Sequence, residues 1–118
     1  MEPNTLYSKE HFEIVMPVMI KAKVDDVFKF SDQRTIFVII NGEIKSLKFF
    51  KGVECCLLVN GELLSKFPIW LETFRRHDRP ELWGIGTSSQ VDIDSETIKN
   101  NDCHVEFSLE NDMVNMNT

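Results

Sequence analysis

Residues 37–62 read FVIINGEIKSLKFFKGVECCLLVNGE and carry nearly one tetrapeptide twice, Ile40-Asn41-Gly42-Glu43 and Val59-Asn60-Gly61-Glu62. Asn-Gly is the dipeptide that type I′ turns favour, because both central residues take positive φ and Asn and Gly tolerate it. The flanks 34–40, 43–50, 55–59 and 62–70 are rich in β-branched and aromatic residues, as strands require. The pattern predicts two hairpins with Asn41-Gly42 and Asn60-Gly61 at their tips, and a turn at Lys51-Gly52 between them. Only the tetrapeptide is shared, so one turn chemistry is used twice and no module is duplicated.

The rest of the chain reads in the same idiom. Phe12, Ile14, Met16, Val18 and Ile20 alternate with a period of two, which places one apolar face inward. Pro17 has the opposite parity and no amide donor, which suits an edge or a bulge. Residues 24–30 and 82–86 are further strands. In 103–109, Val105, Phe107 and Leu109 alternate with polar residues. The segment Asp94-Ser95-Glu96-Thr97-Ile98-Lys99 is the one helical candidate, led by an acid and too short to stand without packing. Residues 110–118 have no period and are expected to fray as a flexible acidic tail. Many short strands with at most one helical turn predict an all-β fold, a small closed or nearly closed β-barrel. The barrel is expected over 12–109, with 1–11 as a lead-in.

A chain of 118 residues with 27% charged residues fits one ordinary globular domain. No apolar run reaches the length of a membrane span, and the first ten residues lack the pattern of a signal peptide. A cytoplasmic location is expected. Cys55, Cys56 and Cys103 are an odd number without CxxC spacing, which predicts reduced, mostly buried thiols and no zinc. Adjacent Cys55 and Cys56 must point to opposite faces of a strand. The net charge of −6 is concentrated late: residues 81–118 hold Lys99 against eight acids, and residues 1–80 are nearly neutral. Such a field repels phosphate backbones at long range and favours basic partners, while a local basic patch can still hold an anion.

The order of pieces resembles the second domain of translational GTPases, elongation factor Tu above all. Asp25-Asp26-Val27-Phe28 is similar to that family's Glu-Asp-Val-Phe, and Asp32-Gln33-Arg34-Thr35 stands at its Gly-Arg-Gly-Thr with both glycines replaced. Gly42-Glu43-Ile44 and Lys51-Gly52-Val53-Glu54 follow in order. Leu71-Glu72-Thr73-Phe74-Arg75-Arg76 looks like Val-Glu-Met-Phe-Arg-Lys, and Trp83-Gly84-Ile85 like Val-Gly-Val. The resemblance covers roughly residues 12–108 and implies a barrel that engages the acceptor end of tRNA through Asp25, Asp26, Phe28, Glu72, Phe74 and Arg75. An aromatic ring that stacks a base, with acids and an Arg for hydroxyls and phosphate, is sensible chemistry for that task. A purely structural reading instead puts Phe28 and Phe74 in the core and makes the charged residues surface pairs.

Other constellations stand beside it. No Gly-x-x-x-x-Gly-Lys-Ser/Thr loop occurs, so no nucleotide binding or hydrolysis is expected. Arg75, Arg76, His77 and Arg79 form a basic loop suited to a phosphate or a partner's carboxylate. Asp92, Asp94 and Glu96 begin like a calcium loop but lack its Gly and its closing Glu, so no metal or other cofactor is expected. Their acidity suits a basic protein partner. Cys56 with His77 or His104 lacks an orienting motif, so the chain is read as a non-enzyme. The main expectation is a binding module for a protein partner or an RNA end. The alternative is an immunity protein that occludes the basic active site of a toxin such as an RNase.

Overall fold

The computed structural model describes residues 17–40, 44–72, 79 and 81–116. Six antiparallel strands close into a barrel in the order β1-β2-β6-β5-β4-β7. They are β1 (Val18–Lys29), β2 (Thr35–Ile40), β4 (Lys51–Val59), β5 (Glu62–Glu72), β6 (Leu82–Thr87) and β7 (Cys103–Leu109). A separate pair of strands joins β3 (Ile44–Leu47) to β8 (Val114–Met116). Among the described residues the only α-helix is α1 (Ser95–Asn100), between β6 and β7. The expected all-β barrel with one short helical turn is the architecture observed.

Strand alternation fills the barrel. Ile20, Ala22, Val24 and Val27 from β1, Phe37 and Ile39 from β2, and Cys103, Val105, Phe107 and Leu109 from β7 all enter one core. Phe37 stacks on Phe67 with ring centroids 5.7 Å apart, and Val91, Ile93 and Ile98 close one end from the β6–α1 connection and the helix. β1 is one strand where two were expected. Its alternation breaks at a register shift between Val24 and Asp26, a bulge that moves the inward position from even to odd numbers.

The turn chemistry is half as expected. Asn60 and Gly61 take φ of 53° and 84°, and β4 and β5 pair on either side of them, as a type I′ hairpin demands. The first pair, Asn41-Gly42, lies outside the described residues, and its flanks do not form the expected hairpin. β2 already pairs with β1 on one side and β6 on the other, while β3 pairs with β8. Lys51-Gly52 is not the turn expected between the pairs. Both residues lie in β4, and Gly52, at φ 78°, sits at the register shift between Lys51 and Val53, where a positive-φ glycine makes a bulge. Within 110–118, Asn111–Met113 form a 3₁₀ turn and Val114–Met116 form β8.

Candidate functional site

The outer face of β1, β2, β6 and β5 is built by register. Residues opposite one another in an antiparallel pair share a face, so Phe28, Ile36, Gly86 and Trp70 make one row across the four strands, and Asp26, Val38, Gly84 and Glu72 the next. β6 is buried along its whole length, and Ile36 and Val38 are buried on the outer side of β2. Part of that cover is the Trp70 indole, which lies across Gly86 where a side chain would otherwise stand.

Phe28 and Phe30 do not join the cover. Each is 47% exposed, so the core position open to Phe28 on the sequence is not the one it takes. Beside them Arg34 lies over the Phe30 ring, its guanidinium carbon 4.9 Å from the centroid. Its Nε donates to Asp32 Oδ2 at 2.8 Å, and Nη1 stands 3.7 Å from Glu72 Oε2. Trp70 Nε1 donates to the same Glu72 oxygen at 2.6 Å. The backbone N–H and guanidinium of Arg34 hold the Asp32 carboxyl below its ordinary pKa. Two open phenyl rings thus stand beside a fixed cation and a carboxylate already engaged from within.

Asp26 is tied inward. Its Oδ1 accepts from the Val27 N–H at 2.8 Å and from the Ser95 hydroxyl at 2.7 Å, which fastens α1 to β1. Three inter-strand spacings of about 4.8 Å each separate it from Glu72 along the row. Asp25 is exposed at the β1 bulge. The face therefore carries Phe28 on β1 and Glu72 on β5, three strand spacings apart, from the residues expected to bind, adds Phe30, Arg34 and Trp70, and gives Asp26 a structural role. Phe74, Arg75, Arg76 and His77 lie outside the described residues. Arg79, from the same basic loop, donates from Nε to Glu81 Oε2 at 2.6 Å.

The acidic residues lie on the β6–α1 connection and in the first turn of α1. Asp92, Asp94 and Glu96 are all exposed. Asp94 caps α1: its Oδ1 accepts from the N–H and the hydroxyl of Thr97, both at 2.8 Å. Those bonds hold its carboxyl below the ordinary range, since they favour the charged form. Glu96 occupies the first helical turn, where a negative charge suits the macrodipole. Of the three, Asp92 is the one without a local structural task in the helix cap.

Cys55 is buried and Cys56 half-buried, as their adjacency on a strand requires. Burial pushes the Cys55 thiol up to about 12 and also raises that of Cys103. Across the strand pairs Cys56 faces Glu106 and Leu58 faces His104, so nucleophile and imidazole are not opposite each other, and His104 Nδ1 stands 3.4 Å from Asp102 Oδ1.

Phe30 and Trp70 were not singled out by sequence. Phe30 follows Phe28 by two, a period-two signal for the same face. Trp70 carried no signal, because its place depends on Gly86 from another strand. Comparison with family models, curated proteins and solved structures finds no match.

Proposed function

We propose that this chain is a non-catalytic binding module, built on a translation-factor-like barrel, that engages a protein partner or an RNA end through the outer face of β1, β2, β6 and β5. The observation that carries the reading is the pair of open phenyl rings, Phe28 and Phe30, beside an Arg34 guanidinium held in place by a ring and a carboxylate. Aromatic anchors next to a fixed Arg are what recognition surfaces concentrate, whether the occupant is a side chain or a base. The spacing suits both: Phe28 near the end of β1 and Phe30 just beyond it present flat apolar area, and Arg34 is a planar donor for a carboxylate or a phosphate. The acceptor end of tRNA remains one candidate occupant.

The test is affinity capture with the tagged chain, followed by protein and RNA identification of what is retained. Replacing Phe28 and Phe30 together by Ala should abolish retention while leaving the thermal transition unchanged, because neither ring is in the core. Retention unchanged by the double replacement overturns the reading.

A second reading has its own observation. Asp92, Asp94 and Glu96 are all exposed along the β6–α1 connection and the first turn of α1, a disposition that suits an inhibitor covering a basic toxin site. Charge reversal at Asp92 and Glu96 separates the two readings, since it should abolish capture only if the acidic connection is the contact.

A further inference from the structure

We propose that the cleft at the end of the barrel between the β1–β2 turn and the β6–α1 connection is a binding site for a phosphate group, free or carried as a monoester. The inference shares Arg34 with the face described above but does not rest on it.

The cleft holds about 280 Å³. Its lining contains Lys29, Gln33, Arg34, Thr35, Ser88 and Gln90. In a chain of net charge −6, this lining has two cations and no carboxylate. Backbone register sets it up. Lys29 stands opposite Thr35, and Thr35 opposite Thr87, so the row that closes this end of the barrel puts an ammonium beside a hydroxyl.

Each donor has capacity left. Lys29 Nζ gives one proton to the Val91 carbonyl at 2.7 Å, which fixes the ammonium and leaves two N–H donors. Arg34 spends Nε on Asp32, while Nη1 stands beyond hydrogen-bond length from Glu72 at 3.7 Å. Nη1 is nonetheless ion-paired with Glu72, so Nη2 is the group that remains for a ligand, and the Phe30 ring beneath the guanidinium limits its motion. Thr35 is 4% exposed, and among the described residues no hydrogen bond reaches its hydroxyl. The hydroxyl is not among the buried side-chain atoms left without a partner, so it is open at the cleft wall and available to a ligand.

The chemistry selects a tetrahedral oxyanion. A planar carboxylate has only two oxygens, in one plane, and cannot meet Arg34, Lys29 and the Thr35 hydroxyl together. Phosphate has enough acceptor oxygens to take Arg34, Lys29 and the Thr35 hydroxyl together, with the amides of Gln33 and Gln90 at the rim. The volume is several times the ~30 Å³ of one liquid water, which leaves space for a small ester group against Phe30.

The experiment is an amide NMR titration of the full chain with inorganic phosphate at constant ionic strength, with acetate as the planar control. Saturable shifts confined to 29–35 and 87–91 are expected, with a dissociation constant on the order of 1 mM, and acetate should give none. Lys29→Met should weaken binding roughly tenfold and Thr35→Val a few-fold, with both variants keeping the amide spectrum of the folded chain. A third titration uses methyl phosphate: tighter binding than inorganic phosphate assigns the ester as the source, and equal or weaker binding assigns the free ion. Shifts that do not saturate, that acetate reproduces, or that survive both substitutions overturn the site.

Discussion

Trp70 lies so close over Gly86 that a Cβ on residue 86 would stand 2.6 Å from the indole ring. Gly86 is needed for this approach, and its backbone takes no unusual φ. The indole is held from the other side by its bond to Glu72, so it cannot swing away without losing a partly buried hydrogen bond.

Gly86→Ala should therefore destabilise the barrel by about 1–3 kcal/mol, the usual cost of overpacking. Pairing it with Trp70→Leu should recover part of the loss, because the clash partner is then flexible. Urea denaturation of the wild type, both single variants and the double variant measures the coupling. Strict additivity of the two changes would show that the indole does not rest on Gly86.

The Asn60-Gly61 turn gives a second expectation. Gly61→Val puts a β-branched residue at a φ of 84°, a region such side chains rarely adopt, and should cost on the order of 1–3 kcal/mol. Asn60 also holds the end of α1 to this turn: its Nδ2 donates to Asn101 Oδ1 at 2.8 Å and its Oδ1 accepts from the Asp102 N–H at 2.9 Å. Asn60→Gly keeps the backbone permissive but removes both bonds. A lower thermal midpoint for Asn60→Gly than for wild type is the expected result.

Asp94 supplies a pH dependence with a definite sign. Its folded pKa is held below the ordinary carboxylate range by the bonds from Thr97, so the unfolded chain takes up the proton first as pH falls. The cap's contribution is present in full above the unfolded pKa and is lost as pH drops through the folded one. Asp94→Ala should melt below wild type at neutral pH, and the gap should close as pH falls through the folded pKa of Asp94. A gap independent of pH would mean that the carboxylate is not the cap.

Thiol chemistry should separate the three cysteines. With the Cys55 thiol pushed up to about 12 and Cys103 buried, iodoacetamide should modify Cys56 first in the native chain, and all three after denaturation, since the thiolate is the nucleophile. Peptide mapping reads the order directly. Early modification of Cys55 would contradict its place in the core.

What the sequence carried and what it withheld follow from the range of each signal. The alternation of 103–109 became β7 with Cys103, Val105, Phe107 and Leu109 all buried, because period two is local and the barrel gives that strand one inner face. Asp94 was readable as a cap and Asn60-Gly61 as a hairpin turn for the same reason. Pairing partners were not readable: β2 lies between β1 and β6, strands far apart along the chain, and nothing in residues 34–50 records that. Gly52 misled because a positive-φ glycine serves a bulge as well as a turn. Of the site, Phe28 and Glu72 were legible through the resemblance, whereas Trp70 was not, since only the registry with Gly86 brings it to the face.

Site-specific photocrosslinking tests the binding face most directly and works for a protein or an RNA occupant alike. A photoreactive residue replaces Phe28 in one variant and Glu96 in another, both exposed, and each is irradiated in cells that express the chain. A discrete crosslinked species is expected from position 28 and none from position 96. Crosslinking from position 96 alone would contradict it and transfer the contact to the acidic connection.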